Sequence, residues 1–186
     1  ESEKSGGRKR HLIEFNSGGN IVISIDINKT KIDGYIIDFN GFIYKHLLVD
    51  LDCSKTDKML QAVDQVIDTL YSFSTSLKRT LRGVALIVPG TTDPETGEIL
   101  HASKLNLRNF PLAQQISKRI AMPVIVENDS NAAALGELWF EKHDSLSDLA
   151  LIHLREGLGV GLVVDGDIYR GQNHSAGELG HIVLDS

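Results

Sequence analysis

The sequence predicts an α/β protein in which helices flank a mixed β-sheet. Three observations point there. Three β-patterned stretches follow one another from residue 20 before any helical pattern begins, which makes a hairpin meander. Helical and β-patterned stretches then alternate between about residues 56 and 143. Residues 83–89, Gly-Val-Ala-Leu-Ile-Val-Pro, form a near-continuous apolar run, as expected of a strand covered on both faces.

Composition narrows the function classes. The chain has 186 residues, 41% of them hydrophobic, enough for a sizeable core in one domain or two closely joined lobes. A net charge of -6 and a pI of about 5.6 argue against the chain as a whole being a nucleic-acid-binding surface. Cys53 is its single cysteine. Neither a disulfide framework nor a complete cysteine-rich metal site can form within it, in keeping with a reducing, cytoplasmic setting. No apolar run approaches the ~20 residues that span a bilayer. The charged N-terminal stretch lacks the apolar segment of a signal peptide.

Each element has a local reason. Residues 1–11 are polar and partly basic, with Lys4, Arg8, Lys9 and Arg10 around Gly6-Gly7, and read as a flexible arm. Residues 21–25 are an apolar strand that closes on Asp26, and residues 32–38 are a second. The Phe39-Asn40-Gly41 turn leads to a third over 42–49. Over 56–73, Met59, Leu60, Val63, Val66, Ile67 and Leu70 recur on one face at helical spacing. After the apolar run at 83–89, Asp93-Pro94-Glu95-Thr96-Gly97 turns the chain into a short strand at 98–101. Residues 112–120 are helical, with Pro111 near the first turn. Residues 124–126 are a β-branched core strand behind Pro123. It runs into a helix that Asp129 or Ser130 can cap and that ends near Lys142-His143, where basic side chains suit its C-terminus. Residues 149–154, 159–164 and 167–169 are three more strands, the last two joined by the Asp165-Gly166 turn.

Several stretches carry candidate chemistry. Glu127, Asn128 and Asp129 stand at the C-terminal end of a strand and the N-terminal end of a helix, where open α/β sheets bind ligands. A carboxylate beside an amide can grip a polyhydroxylated ligand, or the three can simply cap the helix. Asp26 and Thr30 flank a hairpin tip that could handle a metal-bound phosphate. Phosphate-cradling turns use glycines, however, and this one holds Asn28 and Lys29, which favours an ordinary polar tip. The run Arg155-Glu156-Gly157-Leu158-Gly159 lies between two strands; it could bind phosphate through its backbone, or its glycines could serve close strand packing. Glu178 and His181, three apart among glycines, could share a ligand or a metal. His174 reads as a surface loop residue, and Asn106 as a turn Asn that bonds its own backbone.

In order and spacing, the segments SIDINKTKIDGYIIDFNG, ALIVPGTTDPETGEIL, NLRNFPL, PVIVENDSNAAALGE, EGLGVGLVVDGDIYRG and AGELGHIVLD resemble the ROK family (repressor, open reading frame, kinase). That family lies within the sugar kinase/actin-like ATPase superfamily, and the resemblance implies an actin-like ATPase, ribonuclease H-like fold with the start of a second similar lobe. The segment SGGRKRHLIEFN resembles the stretch C-terminal to the winged helix-turn-helix of ROK repressors. The implied organisation is an arm over 1–19 from a missing DNA-binding domain, a first lobe over 20–130, and a connecting helix with a truncated second lobe over 131–186.

The resemblance also implies site roles. Gly90, Asn106, Asn128, Asp129, Glu178 and His181 match positions that contact a sugar. In the family's kinases the residue matching Asp129 is the general base. His181 matches a zinc ligand whose partners would lie outside this chain, so zinc is expected in the full-length protein only. The family's kinases carry glycines where Asn28 and Lys29 stand and Gly-Thr-Gly where Arg155-Glu156-Gly157 stands. Asp26, Asn28, Lys29, Thr30, Arg155, Glu156, Gly157 and Gly159 therefore mark degenerate phosphate loops. ATP and magnesium are not expected, and Lys29 is free to neutralise Asp26. The function implied is a sugar-sensing effector domain of a transcriptional repressor, with a sugar kinase of glucokinase type as the alternative. Its expected partners are an inducer sugar, operator DNA through the missing domain, no membrane, and further copies of itself in a homodimer or tetramer.

Overall fold

A computed structural model describes residues 16–140, 146–154 and 157–181. Strands β1 (Asn20–Ile27), β2 (Lys31–Asp38) and β3 (Ile43–Asp50) precede helix α1 (Thr56–Ser74). Then come β4 (Thr80–Val88), β5 (Thr91–Asp93), β6 (Glu98–Ala102), β7 (Leu107–Phe110), α2 (Leu112–Ser117), β8 (Val124–Asn128), α3 (Asp129–Phe140), β9 (Leu149–Leu154), β10 (Leu158–Val164) and β11 (Asp167–Ile168). The main sheet is mixed, in the order β3-β2-β1-β4-β8. β1 to β3 form the antiparallel meander, and β4 and β8 run parallel to β1. A second antiparallel sheet has the order β11-β10-β9, and a small third one is β5-β6-β7.

Hydrophobic periodicity explains why the main sheet holds. Ile21, Ile23, Ile25 and Ile27 of β1 alternate into the core and are fully buried. They meet α1 through Met59, Val63, Val66, Ile67 and Leu70. Each such burial is worth roughly 1.5–3 kcal/mol. Gly34 lets the helix approach β2, since a Cβ there would overlap the Val66 side chain. Val84, Leu86 and Val88 of β4 are buried, but Ala85 and Ile87 on its other face are only half covered. α3 packs on β10 because Gly159 and Gly161 leave room for Ser130 and Ala134.

Some boundaries differ from the sequence expectation. Residues 16–19 belong to the fold, not the arm: Ser17–Gly19 is a 3-10 turn, and Ser17 Oγ donates to Asn40 Oδ1 at 2.6 Å. β5 and β7 are additional; both are too short to show a period, and they take strand form from pairing with β6. α2 stops at Ser117 and continues as turns through residue 120. The arm over 1–15 and the expected helix end near Lys142-His143 lie outside the described residues. No helix among the described residues is long and apolar enough to cross a membrane.

Candidate functional site

The strand-to-helix junction at β8-α3 is built by Asn128. Its Oδ1 accepts from the backbone N–H groups of Ser130 (2.9 Å) and Asn131 (3.0 Å), so Asn128 is the helix cap. Asp129 Oδ1 also accepts from the Ser130 N–H at 2.9 Å. The Asn128 amide donates to the Gly90 carbonyl at 2.8 Å and to Asp129 Oδ1 at 3.2 Å. One side chain thus ties the helix start, the β4-β5 loop and the neighbouring carboxylate together. Gly90 must be glycine: its φ is 117°, and a Cβ there would overlap the His101 carbonyl.

Glu127 takes a role that the sequence did not indicate. It turns away from Asp129 to Arg170, which comes after β11. The guanidinium donates to Oε1 at 2.8 Å and to Oε2 at 2.6 Å, a two-pronged ion pair. Oε1 also accepts from the Asn128 N–H at 2.8 Å and from Asn131 Nδ2 at 3.2 Å. The pair joins the main sheet to the root of the 171–181 segment. A pattern search could not have found it, because 43 residues separate the partners.

A cavity of about 410 Å³ opens where β4, β8 and α3 meet β10 and this segment. It is lined by Gly90, Asn128, Asp129, Gly157, Gly159 and Glu178 of the expected residues. Asn106 is not on its wall. It stands exposed in a left-handed turn (φ 55°) whose N–H donates to the Ser103 carbonyl, and Ser103 and Lys104 line the cavity instead. His101, His153 and His174 line it too, against the expectation that His174 is a surface residue. His153 Nδ1 lies 3.9 Å from Asp129 Oδ2 and 3.4 Å from Ser130 Oγ. His181 ends the 3-10 turn Leu179–His181; its side chain, with Arg155 and Glu156, lies outside the described residues.

A second cavity of about 230 Å³ adjoins the first, and Lys104 and Asp129 line both. Its other walls come from Asp26, Asn28, Thr30, Lys31, Asp33 and Tyr35. The Asn28 side chain occupies the wall with a buried Nδ2 that has no hydrogen-bond partner among the described residues. Lys29 is exposed and contributes to the field at Asp52, and Asp26 contributes to the field at Lys31. Asp33 accepts from Lys31 Nζ at 2.7 Å and pairs with His46 Nε2 at 2.8 Å. Burial pushes the Asp33 carboxyl up, but the Lys31 and His46 hydrogen bonds outweigh it and hold the pKa below the ordinary value. The described residues contain no group of three or more His, Cys, Asp or Glu side chains placed to hold a metal.

A meander leading into parallel strands and helices, faced by a second antiparallel sheet across a polar cleft, defines an actin-like ATPase fold. Residues 22–186 match the model of the ROK family, and the chain belongs to that family. It is 29% identical over 186 residues to the xylose repressor of Caldicellulosiruptor bescii, covering 98% of this chain and 46% of that protein. It is 43% identical over 107 residues to a glucokinase of Halalkalibacterium halodurans, covering 58% of this chain and 32% of that one. A ROK family glucokinase from Streptomyces griseus, solved with glucose and AMPPNP, superposes with a TM-score of 0.77 at 29% identity, over 89% of this chain and 51% of the other. The chain spans about half the length of the curated relatives it matches.

Proposed function

We propose that this chain is the sugar-sensing part of a ROK-type transcriptional repressor that has lost phosphoryl transfer. The observation that carries this reading is Asn28. Its side chain stands in the wall of the second cavity where a phosphate loop needs glycine, so the backbone cannot close on an anion there. The first cavity keeps carboxylates at Asp129 and Glu178, which accept hydrogen bonds from sugar hydroxyls, and Gly90 and Asn128 shape its floor. The match of nearly this whole chain to 46% of a xylose repressor supports the same reading. The inducer sugar shifts the protein between two conformations of unequal affinity for operator DNA, which a winged helix in the full-length protein contacts. The full-length protein works in the cytoplasm as a homodimer or tetramer. His181 is one ligand of a zinc site completed by residues outside this chain, which metal analysis of the full-length protein checks.

The alternative is a sugar kinase. It is favoured by Asp129, which borders both cavities as a base between sugar and phosphate must, and by the glucokinase match. An ATP-dependent phosphorylation assay on the full-length protein separates the two, and robust turnover with any hexose or pentose sinks the repressor-only reading. For the site, Asp129→Asn and Glu178→Ala are each expected to abolish sugar binding without unfolding the protein. Calorimetry with unchanged affinity in either variant removes that residue from the site.

A further inference from the structure

One residue on the cavity wall is held at a cost that neither packing nor capping accounts for. His174 has a φ of 55°, in the left-handed region that few non-glycine residues occupy, histidine more often than most. Its N–H donates to the Gly171 carbonyl at 3.4 Å. Gly171 (φ 70°) and Gly177 (φ 85°) stand in the same region on either side. Gly177 is wedged against the Val160 carbonyl, which a Cβ would overlap, so the turn cannot drift from the wall. The imidazole lines the cavity with Asp129 and Glu178. Its Nδ1 is buried and has no hydrogen-bond partner among the described residues. A left-handed non-glycine residue and a buried polar atom without a partner each cost stability. A glycine at this position would remove both.

The buried Nδ1 also decides what the ring offers. An orphaned N–H is harder to accommodate than an unshared lone pair. The neutral ring therefore keeps its proton on Nε2 and leaves Nδ1 as the bare acceptor in the wall. Asp129 and Glu178, when ionised, only accept hydrogen bonds. Those carboxylates cannot serve a ligand oxygen that carries no hydrogen; only donors on the wall can, Lys104 and the imidazole of His174 among them. We infer that His174 is a specificity-determining residue of this cavity, donating from Nε2–H to a sugar oxygen that carries no hydrogen, such as a ring oxygen or an acyl carbonyl. The inference rests on the sugar-binding reading and adds to it a donor and a class of ligand atom.

The test uses the full-length protein, calorimetry against a panel of pentoses, hexoses and N-acetylated hexosamines, and thermal unfolding. His174→Gly relieves the backbone and removes the donor. It is expected to keep or raise the Tm and to weaken the binding of the responding sugar at least tenfold. His174→Asn, which tolerates left-handed backbone and keeps an N–H donor, is expected to recover part of that loss. Parental affinity in His174→Gly at an unchanged or raised Tm overturns the inference while leaving the sugar reading intact. A fall in Tm overturns it too, because the ring is then structural. A parent protein that binds no sugar of the panel overturns the sugar reading itself, and this inference with it.

Discussion

Asn128 shows how much a single side chain settles here. Its carbonyl oxygen caps α3 through two N–H groups while its amide holds the Gly90 carbonyl and Asp129. All four of its hydrogen-bonding positions are taken by the protein. Asn128→Ala therefore loses a cap, worth about 1–2 kcal/mol, and leaves the Gly90 carbonyl without this donor. A fall of several degrees in Tm is expected. Asn128→Asp keeps the cap acceptor, so it costs less stability. It weakens sugar binding all the same, because it sets a second carboxylate against Asp129 and frees the Gly90 loop. Thermal unfolding and calorimetry on the pair of variants separate the two effects; equal Tm in Asn128→Ala and the parent would remove the capping role. The sequence placed Asn128 between capping and ligand binding, and no local pattern could decide. The answer depends on Gly90, whose carbonyl arrives from another strand.

At the scale of elements, one long-range ion pair and one local carboxylate cluster tie parts of the fold together. Glu127 on β8 and Arg170 after β11 join the main sheet to the segment that carries His174 and Glu178. Glu127→Gln leaves a partly buried guanidinium with half its partner and is expected to cost about 3 kcal/mol. It should also weaken sugar binding, because the Glu178 wall loses its anchor. The exchange Glu127→Arg with Arg170→Glu should restore part of both; a double-mutant cycle with no coupling in sugar affinity would show the pair to be dispensable for the site. Asp33 on β2 pairs with Lys31 on its own strand and His46 on β3. Its folded pKa is depressed, so the stability it contributes is present above the ordinary carboxylate value and is lost as pH falls through the folded pKa. Asp33→Asn should be about 1 kcal/mol less stable than the parent near neutral pH, discounted for the half-exposed lysine. Chemical denaturation should find that gap full above pH about 4 and closed well below it. Long elements with a clear period, β1, β2 and α1, were legible in sequence because they turn one face to the core, and β3 followed from the Asn40-Gly41 turn behind β2. β5 and β7 were not, since three or four residues are too short to show a period and acquire strand form only from their neighbours.

For the molecule as a whole, the two readings differ in what the second of the two cavities can hold. Lys104 and Asp129 line both, so the two cavities abut, as the sugar and phosphate spaces of a transferase must under the kinase alternative. That juxtaposition was hidden from sequence, because it brings together β1-β2, the turn before β7, and the β8-α3 junction. What sequence did expose was the change of side chain in one of the two spaces. Asn28 stands where a close-approaching backbone would need glycine, whereas the other space keeps Gly90, Asp129 and Glu178. The two spaces should therefore respond separately. In the full-length protein, a matching sugar at about 100 times its Kd should stabilise the fold by about 2.7 kcal/mol, a rise in Tm of several degrees. ATP with magnesium should give no rise alone and add nothing to the sugar's effect, and no phosphorylated sugar should form on long incubation. A rise with ATP, or a phosphorylated product, would mean that the loop around Asn28 still accepts the nucleotide, and Asp129 would then act as a base in turnover.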